Sequence, residues 1–453
     1  MHDLSTTLAA VATAPGRGGI GCVRISGPDA YAIAQGLVVT RTEFVLPGDG
    51  RPHFGTFLDG DGLELDHGYI VAFVAERAYT GEPTVELWPH GSPPVLDALT
   101  RAAVARGARP AGPGEFTYRA LRHGRLDLAR AEAVRDLIAA RTVYQARVAF
   151  TQVEGALARR LAPLREAMID LVARGEAAIE FADEAETHLA AGGLARGLEA
   201  AFASAHALLL EANRGRVVRE GARVALSGVT SVGKSSVFNR LLGRDRAIVS
   251  PLPGTTRDTL EETVELFGIP VTVIDTAGVR PAGDAIEAEG VRRARAAAGE
   301  ADLVILVLDA SRSLRDDERA ALADRLSEGG TETIIVANKI DLASPGEAGL
   351  PWPKAIPISA LTGEGLDALR EAIHGALCGA GSREDPVLTN VRHAAALEET
   401  VSALDRARHA LSLGEELVLE DLRAALTALG GITGEVANDD LYDRIFSTFC
   451  IGK

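Results

Sequence analysis

The chain has 453 residues, enough for two or three hydrophobic cores rather than one. With 47% hydrophobic and 24% charged residues it is neither a disordered nor a collagen-like polymer, and no apolar run reaches the ~18 residues of a membrane-spanning helix. A formal net charge of -16 opposes attraction of the whole molecule to nucleic acid or anionic lipid, so an RNA partner requires a local basic face.

The start, Met1-His2-Asp3-Leu4, lacks the basic-then-apolar layout of a signal peptide, and a cytoplasmic address is expected. Cys22, Cys378 and Cys450 are scattered without metal-ligand spacing, which points to free thiols. Lysine occurs only at Lys234, Lys339, Lys354 and Lys453 in a chain otherwise rich in arginine, which draws the eye to sites that need a compact ammonium.

Residues 1–118 are rich in Gly and Pro, with short apolar runs such as Ile20 to Ile25 and Tyr69 to Val74, and read as a strand-rich α+β domain. Residues 119–220 are dense in Ala, Leu, Arg and Glu; Ala129 to Ala158 and Leu161 to Glu186 predict long helices. From 221 to 378, short strand-like runs alternate with helical patterns: Val224 to Leu226, Val271 to Ile274, Leu303 to Leu308, Ile334 to Ala337 and Ile356 to Ile358. That alternation predicts a parallel sheet covered by helices on both faces. Residues 379–453 open on a linker, Gly379 to Pro386, and return to helical texture from Val391. The two helical segments are expected to pack together as one domain interrupted by the α/β unit.

The α/β segment carries its chemistry in order. Gly228-Val229-Thr230-Ser231-Val232-Gly233-Lys234-Ser235 follows one strand and opens a helix at Ser236, as a phosphate-binding loop must. Its backbone N–H groups can close around phosphates, Lys234 can reach the β and γ oxygens, and Ser235 can ligate magnesium. Asp275-Thr276-Ala277-Gly278 ends a strand, with an acid for the magnesium shell and a glycine able to approach a γ-phosphate. Asn338-Lys339-Ile340-Asp341 ends another, and the Asp341 carboxylate can accept from both donors on the guanine edge, which adenine lacks. Ser359-Ala360-Leu361 supplies a purine-side loop. Between the first two motifs, Gly254-Thr255-Thr256-Arg257-Asp258 is a candidate switch loop in which Thr256 completes the magnesium shell. Val279, after Gly278, cannot orient water; Asp284, Glu287 and Glu289 are the nearby carboxylates that compete for that task.

Three further stretches carry a resemblance that covers the whole chain: Ala14 to Gly21 running into Val23-Arg24-Ile25-Ser26-Gly27; Pro113-Gly114-Glu115-Phe116 with Leu126-Asp127-Leu128-Ala129; and the terminal Phe449-Cys450-Ile451-Gly452-Lys453. The sequence resembles the MnmE, or TrmE, family of tRNA-modification GTPases. The resemblance implies a multidomain α/β and α+β protein. Its N-terminal α+β domain would bind a 5-formyltetrahydrofolate-type cofactor and dimerise, and its helical domain would be interrupted by an inserted P-loop, Ras-like GTPase domain. It also implies a homodimer and a flavin-containing partner of the MnmG type in a heterotetramer-like complex. Together they would add aminomethyl or carboxymethylaminomethyl groups to carbon 5 of the wobble uridine of certain tRNAs, away from any membrane.

Position by position, the resemblance places Arg24, Glu86, Arg125 and Lys453 at folate contacts, with arginine at 125 where lysine is common in the family. It implies potassium in place of an arginine finger, held by the P-loop position of Ser231 and by Ser250, Leu252 and Thr255, together with Mg2+ at Ser235 and Thr256. Ser231 stands where the family has asparagine, a shorter donor. Glu287 falls at the family's water-network glutamate, and Cys450 at a candidate for substrate chemistry; spacing alone makes Cys450 a buried small hydrophobe beside Phe446 and Phe449. A bare regulatory G protein acting as a ribosome- or RNA-associated switch is the alternative, as is a stand-alone folate-dependent transferase. A bare switch needs neither the Pro15 to Gly19 segment nor the Cys-Ile-Gly-Lys tail.

Overall fold

The structure, a computed structural model, describes residues 3–40, 49–180, 187–244, 260–275, 299, 301–327, 331–342, 354–379, 387–435 and 439–452. The chain divides into two compact units, one of Met1–Arg135, Val153–Ala158 and Gly430–Lys453, the other of Asp136–Gln152 and Arg159–Leu429.

In the first unit, strands β1 (Leu8–Val11), β2 (Val23–Ser26), β3 (Val38–Thr40), β4 (Asp49–Leu58), β5 (Glu64–Phe73), β6 (Thr84–Trp88) and β7 (Arg109–Pro110) form a sheet in the order β3-β4-β5-β6-β2-β1-β7. Only the β1–β7 pair is parallel. Period-two alternation sends Val23 and Ile25 of β2, Val85 and Leu87 of β6 and Ile70 of β5 to one face. Helices α1 (Ala30–Gln35) and α2 (Pro93–Ala105) close that face with Ile33, Leu96 and Leu99. The other face carries Arg24, Ser26 and Glu86; it meets α3 (Glu115–Arg122) through a small cluster of Leu8, Ala10, Ala111 and Phe116. Helix α4 (Leu128–Ala139) supplies Leu128 and Ala131 to a second cluster with Tyr118 and the chain's end, Phe446 and Phe449.

The helix expected from Ala129 to Ala158 is cut twice, into α4, α5 (Val143–Val153) and the start of α6 (Ala156–Glu180). The Thr142 hydroxyl accepts from the Gln145 amide at 3.1 Å as an N-cap, beginning α5 afresh. Gly155, at φ 79, takes the left-handed conformation that parts α5 from α6.

In the second unit, α6 runs beside α7 (Thr187–Glu220), whose buried Leu198, Ala201, Ala205, Leu208 and Ala212 keep helical spacing. Gly221, at φ 84, ends α7 and turns the chain into β8 (Ala222–Ser227). There follow α8 (Lys234–Arg244), β9 (Leu260–Leu266), β10 (Ile269–Asp275), β11 (Leu303–Asp309), α9 (Asp316–Ser327), β12 (Thr333–Asn338), β13 (Ile356–Pro357) and α10 (Leu366–Cys378). The sheet order is β13-β12-β11-β8-β10-β9, parallel except for the β9–β10 hairpin. Strand β11 is buried along its whole length: Leu303, Ile305 and Val307 meet α8 and α10, while Leu306 and Leu308 meet Leu322 of α9. A strand covered on both faces reads as a continuous apolar run, as Leu303 to Leu308 does.

Beyond the sheet, α7 packs along α11 (Val391–Ala410), and the chain closes with α12 (Glu415–Thr433) and α13 (Asp439–Phe446). None of the three cysteines is in a disulfide. Among the described residues no helix is long and apolar enough to cross a membrane.

Candidate functional site

The chain leaves β8 toward β9 and β10 on one side, then returns to β11 on the other, so a crevice opens beyond the carboxyl ends of β8 and β11. The loop 228–235 lies there. Gly228 and Gly233 have φ of 137 and 99 and pack so closely that an added Cβ would stand 2.4 Å from the Val307 oxygen and 2.3 Å from the Asn338 amide nitrogen, respectively. No other residue fits either place. Lys234 is buried and donates to the Gly228 and Val229 carbonyls, both at 2.8 Å, which holds its ammonium over the loop. Ser235 and Ser236, exposed in the first turn of α8, place their hydroxyls at the helix's positive end, where the Ser236 amide donates to the Gly233 carbonyl at 3.0 Å.

Three loops are tied together at this crevice. Asn338, almost fully buried, donates from Nδ2 to the Val232 carbonyl at 2.9 Å and accepts at Oδ1 from the Ala360 amide at 3.0 Å. Lys339, at φ 69, donates from Nζ to the Ser231 carbonyl at 2.8 Å and to Asp309 Oδ2 at 2.7 Å. Ser231 is itself at φ 68, and two side-chain-bearing residues held left-handed cost about 1–2 kcal/mol each. Such strain persists only where neighbours over-determine the backbone. Ser359 is buried and its hydroxyl donates to Asp341 Oδ1, aiming the carboxylate. Asp275 ends β10, paired with Leu226 of β8 and Leu260 of β9. The expected contributors Ser250, Leu252, Thr255, Thr256, Gly278 and Glu287 lie outside the described residues, as does Lys453.

Sequence reasoning missed two residues here. Arg240 of α8 donates from Nε to the Ala360 carbonyl at 2.7 Å and from its guanidinium to the Leu361 carbonyl, clamping the purine-side loop. Asp309 closes β11, and the apolar run Leu303 to Leu308 that precedes it was the available signal.

A second polar cluster lies in the first unit. Arg24 of β2 and Glu86 of β6 face each other in register, with Nε and Nη2 donating to Oε1 at 2.9 and 2.8 Å. The Trp88 indole donates to Glu86 Oε2 at 3.0 Å, and the Arg24 guanidinium lies 5.5 Å from the Phe116 ring centre and 5.9 Å from that of Tyr79. Burial pushes the Tyr79 phenol above its ordinary pKa, although Thr117 and Arg24 pull the other way. The tail arrives here as well: Ile451 bridges Pro113, the Cys450 carbonyl accepts from the Gly114 amide at 3.3 Å, and the Gly452 carbonyl lies 3.5 Å from Arg24 Nη1. A Cβ on Gly452 would stand 2.2 Å from the Val11 oxygen, so the seat admits only glycine. Cys450 is exposed, not buried as its spacing suggested; Phe446 and Phe449 take the interior instead. Arg125, just past α3, is exposed, and among the described residues no contact joins it to the Arg24–Glu86 pair.

Residues 7–125 match the family model for the GTP-binding protein TrmE N-terminus, and residues 128–450 match that for the MnmE helical domain. The chain belongs to the MnmE family of tRNA-modification GTPases. It is 42% identical to the tRNA modification GTPase MnmE of Koribacter versatilis over 462 aligned positions, covering all of both chains. The protein of the same name from Roseiflexus castenholzii is 41% identical over 478 positions, and that from Thermus thermophilus 42% over 452, again covering all of both chains.

In this MnmE-family chain the cleft also rests on two carboxylates. Burial alone would raise the Asp309 carboxyl, but Lys339 and the hydroxyl and amide of Ser311 outweigh it and hold its pKa below the usual range. Burial likewise opposes ionisation of Glu318, yet Arg312 and the Arg315 amide hold its pKa low. A folded-state pKa below the unfolded one contributes stability that is fully present above the unfolded value and is lost as pH falls through the folded one. Urea midpoints of the protein should therefore hold steady from about pH 6 to 8 and fall below about pH 5, with a smaller fall in Glu318→Gln. An equal fall in that variant would remove Glu318 from the acid-sensitive groups.

Proposed function

We propose that the chain is a cytoplasmic, dimeric GTPase whose hydrolysis cycle gates tRNA modification. With a flavoprotein partner of the MnmG type, in a heterotetramer-like complex, it installs aminomethyl or carboxymethylaminomethyl groups at carbon 5 of the wobble uridine. Residues 1–118 then form the folate-binding and dimerisation domain, 119–220 and 379–453 the helical domain, and 221–378 the GTPase domain. The observation that carries the nucleotide reading is the Asn338 side chain, which joins the phosphate loop to the purine-side loop through Val232 and Ala360.

In this reading the amides of Val232 and Gly233, the Ser236 hydroxyl and the Lys234 ammonium hold the phosphates, with Gly278 approaching the γ-phosphate. Asp341, aimed by Ser359, reads the guanine edge. The Ser235 hydroxyl, with Thr256 and Asp275, suits a hard cation such as magnesium. Ser231, exposed on its left-handed turn, offers an oxygen for potassium together with Ser250, Leu252 and Thr255. When bound, these cations supply positive charge against the phosphates and the folate supplies a one-carbon unit. Glu287 takes the water-orienting task that Val279 cannot. Arg24, Glu86, Arg125 and Lys453 hold the folate: Arg24 spends only part of its fork of donors on Glu86, leaving N–H groups for a carboxylate or a pterin oxygen. The close seating of the tail beside Arg24 favours this reading over a bare binding switch.

Asp341→Asn should weaken GTP binding and shift preference toward xanthosine triphosphate, since one acceptor becomes a donor; an unchanged GTP preference in competition titrations would sink the assignment. Potassium should raise turnover over sodium, and Glu287→Ala should lower turnover more than GTP affinity. Equal rates in the two salts would show that Ser231 has removed the cation site. Cys450→Ser, nearly isosteric but a far weaker nucleophile, should spare basal hydrolysis and abolish or greatly reduce the modified wobble nucleoside measured by mass spectrometry. Normal modification would make Cys450 a bystander, and equal loss of both activities would point to misfolding.

A further inference from the structure

Asp309 ends β11, the strand that lies between β8 and β12 in the sheet. The phosphate loop leaves the first of those neighbours and the Asn338 to Asp341 loop the second, so the carboxyl end of β11 is the one place in the sheet flanked by both. The Lys339 ammonium spans that place. It donates to Ser231 O at 2.8 Å on one loop and to Asp309 Oδ2 at 2.7 Å on the strand between. Ser231, which accepts from it, and Lys339, which carries it, are both held at positive φ, 68 and 69.

The Asp309 carboxylate is not free to follow the lysine. Its Oδ1 accepts from the Ser311 amide at 3.0 Å and from the Ser311 hydroxyl at 2.6 Å, which turns Oδ2 toward Lys339. Arg312 Nε stands 3.6 Å from the same Oδ2, and Arg312 is in turn engaged by the buried Glu318. The side chain of Asp309 is 6% exposed and that of Lys339 29%, so the anion is the fixed, desolvated partner and the lysine the adjustable one. An anion oriented in this way acts on a mobile ammonium as a template.

We propose that Asp309 is a positioning residue for guanine-nucleotide binding. Through Lys339 it holds the base-reading loop and the Ser231 turn of the phosphate loop in their binding geometry before the nucleotide arrives. The inference rests on the guanine-nucleotide reading of the cleft. It assigns Asp309 no contact with the nucleotide; its effect runs wholly through the lysine, lowers affinity for GDP and GTP alike, and appears in the dissociation rate.

A double-mutant cycle tests this in the full chain, with fluorescent GDP binding at neutral pH as the readout. Asp309→Asn keeps the shape but removes the charge and turns one acceptor into a donor, and should weaken binding about tenfold, the scale of a charge-assisted hydrogen bond. In Lys339→Met, which keeps the stem and loses the ammonium, the same substitution should be neutral or should strengthen binding, because the carboxylate no longer has a lysine to orient. A structural role would give the same loss in both backgrounds, and that result, or an unaltered affinity in Asp309→Asn alone, overturns the proposal. Should Asp309→Asn fail to fold, Ser311→Ala, which removes one of the two Ser311 bonds that orient the carboxylate, must show the same background dependence on a smaller scale. Failure of the parent protein to bind GDP at all would instead strike at the guanine-nucleotide reading itself.

Discussion

The side-chain amide of Asn338 donates to the Val232 carbonyl and accepts from the Ala360 amide, so one neutral, almost fully buried group sets the spacing between the phosphate loop and the purine-side loop. A buried amide left with either bond unmade would cost about 1–3 kcal/mol, which makes the two bonds mutually enforcing. The rest of the cleft builds on that spacing. Gly233 must be glycine because Asn338 occupies the place of its side chain. Arg240 can reach the Ala360 and Leu361 carbonyls because α8 starts from a loop already fixed at Val232. Lys339 and Ser231 can be held left-handed because their neighbours are anchored on both sides.

The first unit meets a comparable problem with charge. Arg119 is fully buried and donates to Glu82, which also accepts from the Ser26 hydroxyl; Ser26 in turn meets Thr80 and Thr84. Taking such groups from water is repaid only when each finds partners. The network lies on the sheet face that bears Arg24 and Glu86, two residues along β2 and β6, so the strands under the ion pair are locked from beneath the pair's own chemistry. The tail adds a second lock. Phe446 and Phe449 fill an apolar cluster against Tyr118 and Leu128, and only then does Gly452 come within reach of Arg24.

Much of this was legible because phosphate and guanine chemistry restrict residue types locally: Gly228 to Ser235 and Asn338 to Asp341 are readable in isolation and each follows a strand, as expected. The run Leu303 to Leu308 was readable as a strand from its unbroken apolar character. Asp309 was not, since its importance comes from the sheet order β12-β11-β8, which no stretch of sequence contains. Arg24 and Glu86 stand opposite each other only through the β2–β6 register, so their partnership was visible by family resemblance and not by spacing. The break at Thr142 was hidden by an Ala-rich helical texture; its hydroxyl also donates to the Gly268 carbonyl at 2.6 Å, a contact 126 residues away in sequence. Tertiary contacts of that kind override propensity.

That same contact shows how the nucleotide cleft is joined to the helices of its own unit. The β9–β10 hairpin pairs without a register shift from Leu266 and Ile269 at its turn to Leu260 and Asp275 at the cleft. Its turn, Phe267-Gly268, has φ of 51 and 84, the left-handed pair that suits the twist of a two-residue hairpin. A Cβ on Gly268 would stand 2.5 Å from that of Tyr144, so the turn is pressed against the start of α5, while Phe267 lies 5.0 Å from the His374 ring of α10. Slipping the ladder by one residue would turn the buried Val264, Leu266, Val271 and Val273 outward, a loss far larger than any single contact at either end. One unbroken register therefore runs from Asp275, where the motif expected to face magnesium and the γ-phosphate begins, to the turn that Thr142 and Tyr144 of the helical segment hold.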